Sequence, residues 1–188
     1  MIQIVKNRCW VLYFCLFITL AIMSSLKYHN LNTTFFDLGL FLNNFSMIAS
    51  GQWQSLFLSH VQPFGLFWSI PFSFLSIDWA ATIILVFQAA FLALPVIGLY
   101  RYFGIISALA FSFYFPLWYN ALFDFHMDHL AVPILFGFFF YERKGKLPHA
   151  IFLAVLLALV KEPFALQTAF CGIYLCVARK KHLSGLLL

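Results

Sequence analysis

The chain has 188 residues, of which 64% are hydrophobic, 21% aromatic and only 9% charged, against about 25% charged in a soluble domain. With a mean hydropathy of +0.94, this composition excludes an ordinary soluble globular domain and predicts an all-α, polytopic integral membrane protein. The formal charge of +5 does not signal nucleic acid, because the basic residues are spaced between apolar runs rather than clustered as a phosphate-binding face; membrane lipid is the expected partner.

Lys6 and Arg8, Arg101, the Arg143/Lys144/Lys146 group and the Arg179/Lys180/Lys181 group all flank apolar runs at ends of one kind. Only Lys27 and Lys161 fall elsewhere. Asp37, Asp78, Asp124, Asp128 and Glu162 lie at the opposite ends, and Glu142, beside Arg143, is the one acid on the basic side. Basic residues concentrate in cytoplasmic loops, so the pattern predicts a multi-pass protein of the cytoplasmic (inner) membrane with a cytoplasmic N-terminus.

The first span is expected from Cys9 to Leu26, as an uncleaved anchor rather than a signal peptide, because the run is long and no small-x-small cleavage site follows cleanly. Residues 27–78 then form a long outer loop carrying juxtamembrane helices. Within it Phe36, Leu40, Phe41, Asn44 and Ile48 alternate with Asp37, Asn43 and Ser46 in the rhythm of an interfacial helix. The run from Phe64 to Ile77 contains Pro71 and is short for a span. If it crossed, Arg101 and every later basic group would fall outside, so it reads as a juxtamembrane or re-entrant helix.

Spans follow from Trp79 to Tyr100, Tyr102 to Leu122, Leu130 to Tyr141, Leu147 to Val160 and Phe164 to Ala178, giving about six with both ends cytoplasmic, in a single membrane domain over residues 1–188. Two of these runs, of about 12 and 14 residues, would cover only about 18 and 21 Å of a core of about 30 Å, so each helix should extend into its polar neighbour. That would draw Asp124, His126, Asp128, His129, Lys161 and Glu162 into the outer part of the membrane, where ionisable groups pair with one another or face a wet cavity. The ending SGLLL, after a basic cluster, reads as the start of a further element. Cys9, Cys15, Cys171 and Cys176 all lie in apolar runs, without the spacing of a zinc site.

The segment FDFHMDH is the densest polar cluster. On a helix Asp124 and Asp128 would share one face, where they could hold a divalent cation such as Mg or Mn through oxygen ligands, or keep one carboxyl protonated against the other. Asp37 could serve as a general base towards a hydroxyl at the membrane surface, or simply sit favourably in the first turn of a helix. Lys161 could meet a phosphate, Glu162 could pair with it or with His126 or His129, and His60 in SHVQP is a polar ligand candidate. Asn32-Thr33-Thr34 and Asn44-Phe45-Ser46 match the glycosylation sequon.

The ordered set FFDLG, SHVQP, Gln88, Pro95 with Tyr100-Arg101, Tyr114 with Pro116, FDFH and VKEP resembles domain-of-unknown-function family 2079, a group of prokaryotic membrane proteins, over roughly Tyr28 to Tyr174. The chain departs from that pattern at Met127-Asp128, where Pro-Glu is usual, at Val61-Gln62, where Phe-Ser is usual, and at Pro163, where an acid follows KE. The family is in turn similar to GT-C type glycosyltransferases, which use polyprenyl-phosphate-linked sugars on the outer membrane face. The resemblance implies a catalytic acid at Asp37, a second acidic motif at Asp124 and Asp128, a substrate-binding set of His60, His126, His129, Lys161 and Glu162, and a longer protein of which this is the N-terminal part. Two rival readings stand beside it. A transporter or flippase would use the acids and histidines as a pathway, and a non-catalytic scaffold would use the aromatic spans only for packing.

Overall fold

The computed structural model describes residues 2–31, 35–57 and 60–177, with side chains from residues 8–31, 37–57 and 60–177. The first sequon, the 179–181 basic group and the SGLLL ending lie outside the described residues. Among the described residues there are ten α-helices, joined by short 3₁₀ turns, and no strand.

Helix α1 (Ile2–His29) starts earlier and ends later than the hydrophobic run alone suggests. Its stretch Arg8–His29, 22 residues or roughly 33 Å at 1.5 Å each, is long and apolar enough to cross a membrane. Cys9, Leu16, Leu20, Ala21 and Ser24 are buried against the rest of the bundle, whereas Trp10, Phe14, Ile18, Ile22 and Leu26 form an outward apolar stripe at four-residue spacing. Such a stripe is unfavourable in water and favourable against lipid. The helix stops where Leu31 takes a left-handed conformation, φ 56°.

Helix α2 (Phe35–Ala49) confirms the expected helix but turns it. Its buried residues are Leu38, Leu42, Phe45 and Ile48, while Leu40 is about half-exposed. The reason is aromatic packing: Phe45 meets Phe125 with ring centres 5.7 Å apart, and Trp68 meets Phe125 at 5.1 Å, so this face of α2 docks on a core. Trp68 comes from α3 (Gly65–Ser69), which a 3₁₀ turn at Ile70–Ser73 follows. The run Phe64–Ile77 is thus broken into elements of five and four residues, neither long enough to span.

Helices α4 (Ile77–Ala93) and α5 (Pro95–Phe103) are joined through Leu94, which keeps helical dihedrals, and together form the second stretch long and apolar enough to cross, 27 residues. Ala80, Ala81, Ala89 and Ala93 are buried, and side chains this small let α1 and α4 backbones approach closely. Gly98 does the same for α8: a Cβ there would stand 1.9 Å from the Phe140 ring. At Gly104, φ 85°, the chain turns through a conformation that suits glycine.

The expected span from Tyr102 to Leu122 is two helices, α6 (Ile105–Ser112) and α7 (Phe115–Phe123), bent by 44°. Pro116 in the first turn of α7 cannot donate into the preceding helix, and the Trp118 indole bridges the break by donating to the Ser112 carbonyl at 2.6 Å. Counted as one broken span, this pair would bring the candidates to three.

Helices α8 (Ala131–Arg143), α9 (Leu147–Ala158) and α10 (Pro163–Val177) pack around Phe138, Ala150, Ala154, Cys171 and Leu175. The expected lengthening occurs on α8, which a 3₁₀ turn at Met127–Leu130 precedes, but not on α9, which leaves Lys161 and Glu162 in the turn before α10. Thr168 fixes α10 to α9 by donating to the Ala154 carbonyl at 2.8 Å.

Candidate functional site

The segment Asp124-Phe125-His126 is not helical. After α7 the backbone is extended, with Asp124 at φ 164° and His126 at φ −137°, so successive side chains point to opposite sides. Phe125 enters the aromatic core and is 1% exposed. Asp124 and His126 leave on the other side, each to a different partner.

Gln88, buried on α4, holds this segment in place. Its side-chain amide donates to the Asp124 carbonyl at 3.0 Å and its oxygen accepts from the His126 amide at 3.1 Å, satisfying two main-chain groups that no secondary structure serves. The use of both ends of the amide on one segment makes Gln88 a clamp.

Among the described residues, four acid–base side-chain pairs join distant parts of the chain, two with lysine and two with histidine, and three of them hold Asp124, His126 or Asp128. Asp124, whose side chain has no exposed surface, lies 3.4 Å from the Lys27 ammonium at the end of α1. Lys27 also donates to the Leu122 and Phe123 carbonyls at 2.6 and 3.0 Å, capping α7 where the helix dipole favours a cation. Asp37, in the first turn of α2, lies 3.6 Å from His126 Nε2. Asp128 lies 3.6 Å from Lys161. His60 Nδ1 meets the Glu162 carboxylate, whose other oxygen accepts from the Val61 amide at 3.1 Å. Desolvation pushes the Glu162 carboxyl up, but the hydrogen bonds from His60 and from the Glu162 and Val61 backbone, with the nearby His60 charge, outweigh it and leave the group below its ordinary range.

The shared helical face expected for Asp124 and Asp128 is therefore absent. Extended backbone and a 3₁₀ turn separate the two carboxylates, and each faces its own lysine. Among the described residues no group of three or more His, Cys, Asp or Glu side chains is placed to hold a metal ion.

His126, Asp128 and His129 line one cavity of about 320 Å³, together with Tyr119, Asn120 and Phe123. The rings of Tyr119, Phe123 and His126 stack in series at 5.8 Å per step, forming an aromatic wall. His129 is buried, yet its Nδ1 has no hydrogen-bonding partner, which is uncommon for a buried polar atom and marks a place for a ligand or water. Asp37 reaches the cavity through His126, and Lys161 through Asp128. His60 and Glu162 form a separate pair that ties the 60–62 loop to the turn after α9.

Lys27 and the clamping role of Gln88 are additions that the motifs did not signal. A further cleft, of about 430 Å³, holds Asp78, which reads from sequence only as a mark of topology. There the Tyr28 hydroxyl donates to Asp78 at 3.0 Å. No family model matches this chain, and comparisons with curated proteins and with solved structures find no match.

Proposed function

We propose that the chain belongs to a membrane-embedded glycosyltransferase of GT-C type, acting on a polyprenyl-phosphate-linked sugar at the outer face. The observation that carries this reading is the meeting of Asp37 with His126 at the wall of a cavity that Asp128 and His129 also line. The proposed topology has six spans with both ends cytoplasmic. It rests on the charge pattern; among the described residues two helical stretches, or three with the bent α6/α7 pair, are long and apolar enough to cross.

In this mechanism an acceptor hydroxyl gives its proton to Asp37 as its oxygen bonds to the anomeric carbon of the sugar. The bond from that carbon to the phosphate oxygen breaks, and the lipid phosphate leaves with the electron pair. His126 orients the Asp37 carboxylate through the 3.6 Å contact, and His129 contributes to the cavity wall beside it. Lys161 stands opposite Asp128, which lines the cavity, and is assigned to neutralising the leaving phosphate. Asp124, buried against Lys27, keeps the segment in register rather than touching substrate.

The test is transfer of radiolabelled sugar from polyprenyl-phosphate donors by membranes carrying the complete gene product, alongside its Asp37→Asn variant. Loss of transfer by about 10²- to 10⁴-fold, at equal protein level, is expected for removal of a general base. Undiminished transfer by the variant would remove Asp37 from that role, and absence of transfer by the parent with every donor class would sink the reading.

A further inference from the structure

Two further hollows join along the length of α8, from Leu130 and Pro133 beside the site segment to Lys144 at the other end. One, of about 310 Å³, is lined by Gly98, Arg101, Tyr102, Phe136 and Lys144 among others; the second, of about 420 Å³, is lined by Phe64, Phe67, Phe91, Ile134, Leu153 and Leu156. Leu94, Pro133, Gly137 and Tyr141 belong to both, so the two form one groove between α4/α5 and α8/α9.

The groove is chemically graded. Its far half is apolar throughout, while its near end carries Arg101 and Lys144, and no acidic residue lines either half among the described residues. Lys144 is held there by two rings, its ammonium 5.2 Å from the centre of Tyr102 and 5.9 Å from that of Tyr141. Arg101 lies 6.0 Å from the Trp10 ring. Basic and aromatic side chains at one end of an apolar groove match a lipid with an anionic head at the membrane interface.

Length agrees. From Pro133 to Lys144 a helix rises roughly 16 Å, close to the ~15 Å of one leaflet's hydrocarbon. The basic end is separated from the site segment by the whole of α8, 13 residues or roughly 20 Å, so a head group bound there is not a substrate of the Asp37 cavity.

We infer that this groove binds a diacyl anionic phospholipid of the inner leaflet, with its phosphate between Arg101 and Lys144 and an acyl chain along Pro133, Gly137 and Ile134. The inference does not depend on the proposed transferase activity.

The test is native mass spectrometry of the complete gene product in detergent, titrated with phosphatidylglycerol or with phosphatidylcholine of the same acyl chains. Preferential binding of phosphatidylglycerol is expected, reduced about tenfold or more in the Arg101→Gln/Lys144→Gln double variant, since each basic residue near the head group contributes measurably. Both side chains are exposed, so the variant should remain folded; retained thermal stability checks this. Lys146→Gln removes a neighbouring exposed charge that does not line the groove and should leave binding unchanged. Equal binding of the two lipids, undiminished binding by the double variant, or an equal loss in Lys146→Gln overturns the inference. So does a dimer that excludes lipid in the same spectra, which would give the groove to a second copy of the chain.

Discussion

Replacing Lys27 by Met tests whether the end of α1 organises the site segment. The substitution keeps most of the apolar stem but removes the ammonium, its ion pair with a carboxylate of 0% side-chain exposure and its hydrogen bonds to the Leu122 and Phe123 carbonyls. Lys27 itself is 27% exposed and its contact with Asp124 is long at 3.4 Å, so the pair is credited with about 1 kcal/mol rather than the 3–5 of a fully buried one. The two charge-assisted hydrogen bonds, partly replaced by water, add about 1 kcal/mol each. The total is about 3 kcal/mol, or roughly 6–12 °C in melting temperature for a chain of this size. The assay is thermal unfolding in detergent of the parent, Lys27→Met, Asp124→Asn and the double variant. Asp124→Asn should cost less than Lys27→Met, and the double variant should cost less than the sum of the singles, because the partners no longer oppose one another. A shift below about 2 °C for Lys27→Met, or strict additivity, would refute the coupling.

Gln88→Leu should destabilise by about 2–4 kcal/mol, because it strands the Asp124 carbonyl and the His126 amide in a buried setting; amide exchange at His126 should accelerate more than at residues of α10. Glu162, held below its ordinary range, contributes its pairing in full above that range and loses it as pH falls through the depressed value. Protection of the Val61 amide, corrected for intrinsic exchange, should therefore fall only on acidification below about pH 4.5, and Glu162→Gln should abolish that dependence. Unchanged Val61 protection down to pH 3 in the parent would remove the pairing from solution.

Helical class was legible because composition and apolar run length report it directly. The helix start at Pro163 was legible too, but the breaks before Pro95 and Pro116 fall inside runs that read as single spans. The face of α2 was not, since a sequence apolar on most sides gives no direction, and only the Trp68 and Phe125 rings decide which residues turn inward. The helical pairing of Asp124 with Asp128 failed for a related reason: spacing of four has meaning only on a helix, and Gln88 holds this backbone extended. One signal was present but unused. Lys27 and Lys161 are the two cations that leave the basic side, and each pairs with one of the two acids in FDFHMD. Residues that violate a topological charge rule are those held by a local partner.

The outward stripe of α1 bears on how the chain is made. A helix with 22% of its central window buried within the bundle needs few neighbours, and its 22-residue stretch can partition into a bilayer as soon as it leaves the ribosome and translocon. Helix α9, 12 residues or roughly 18 Å, cannot do so alone; its Ala150, Ala154 and Leu157 side chains have no exposed surface once assembled. Helix α9 therefore depends on its neighbours, with Thr168 of α10 and Gly137 of α8 as the clasps that hold it in the packed group.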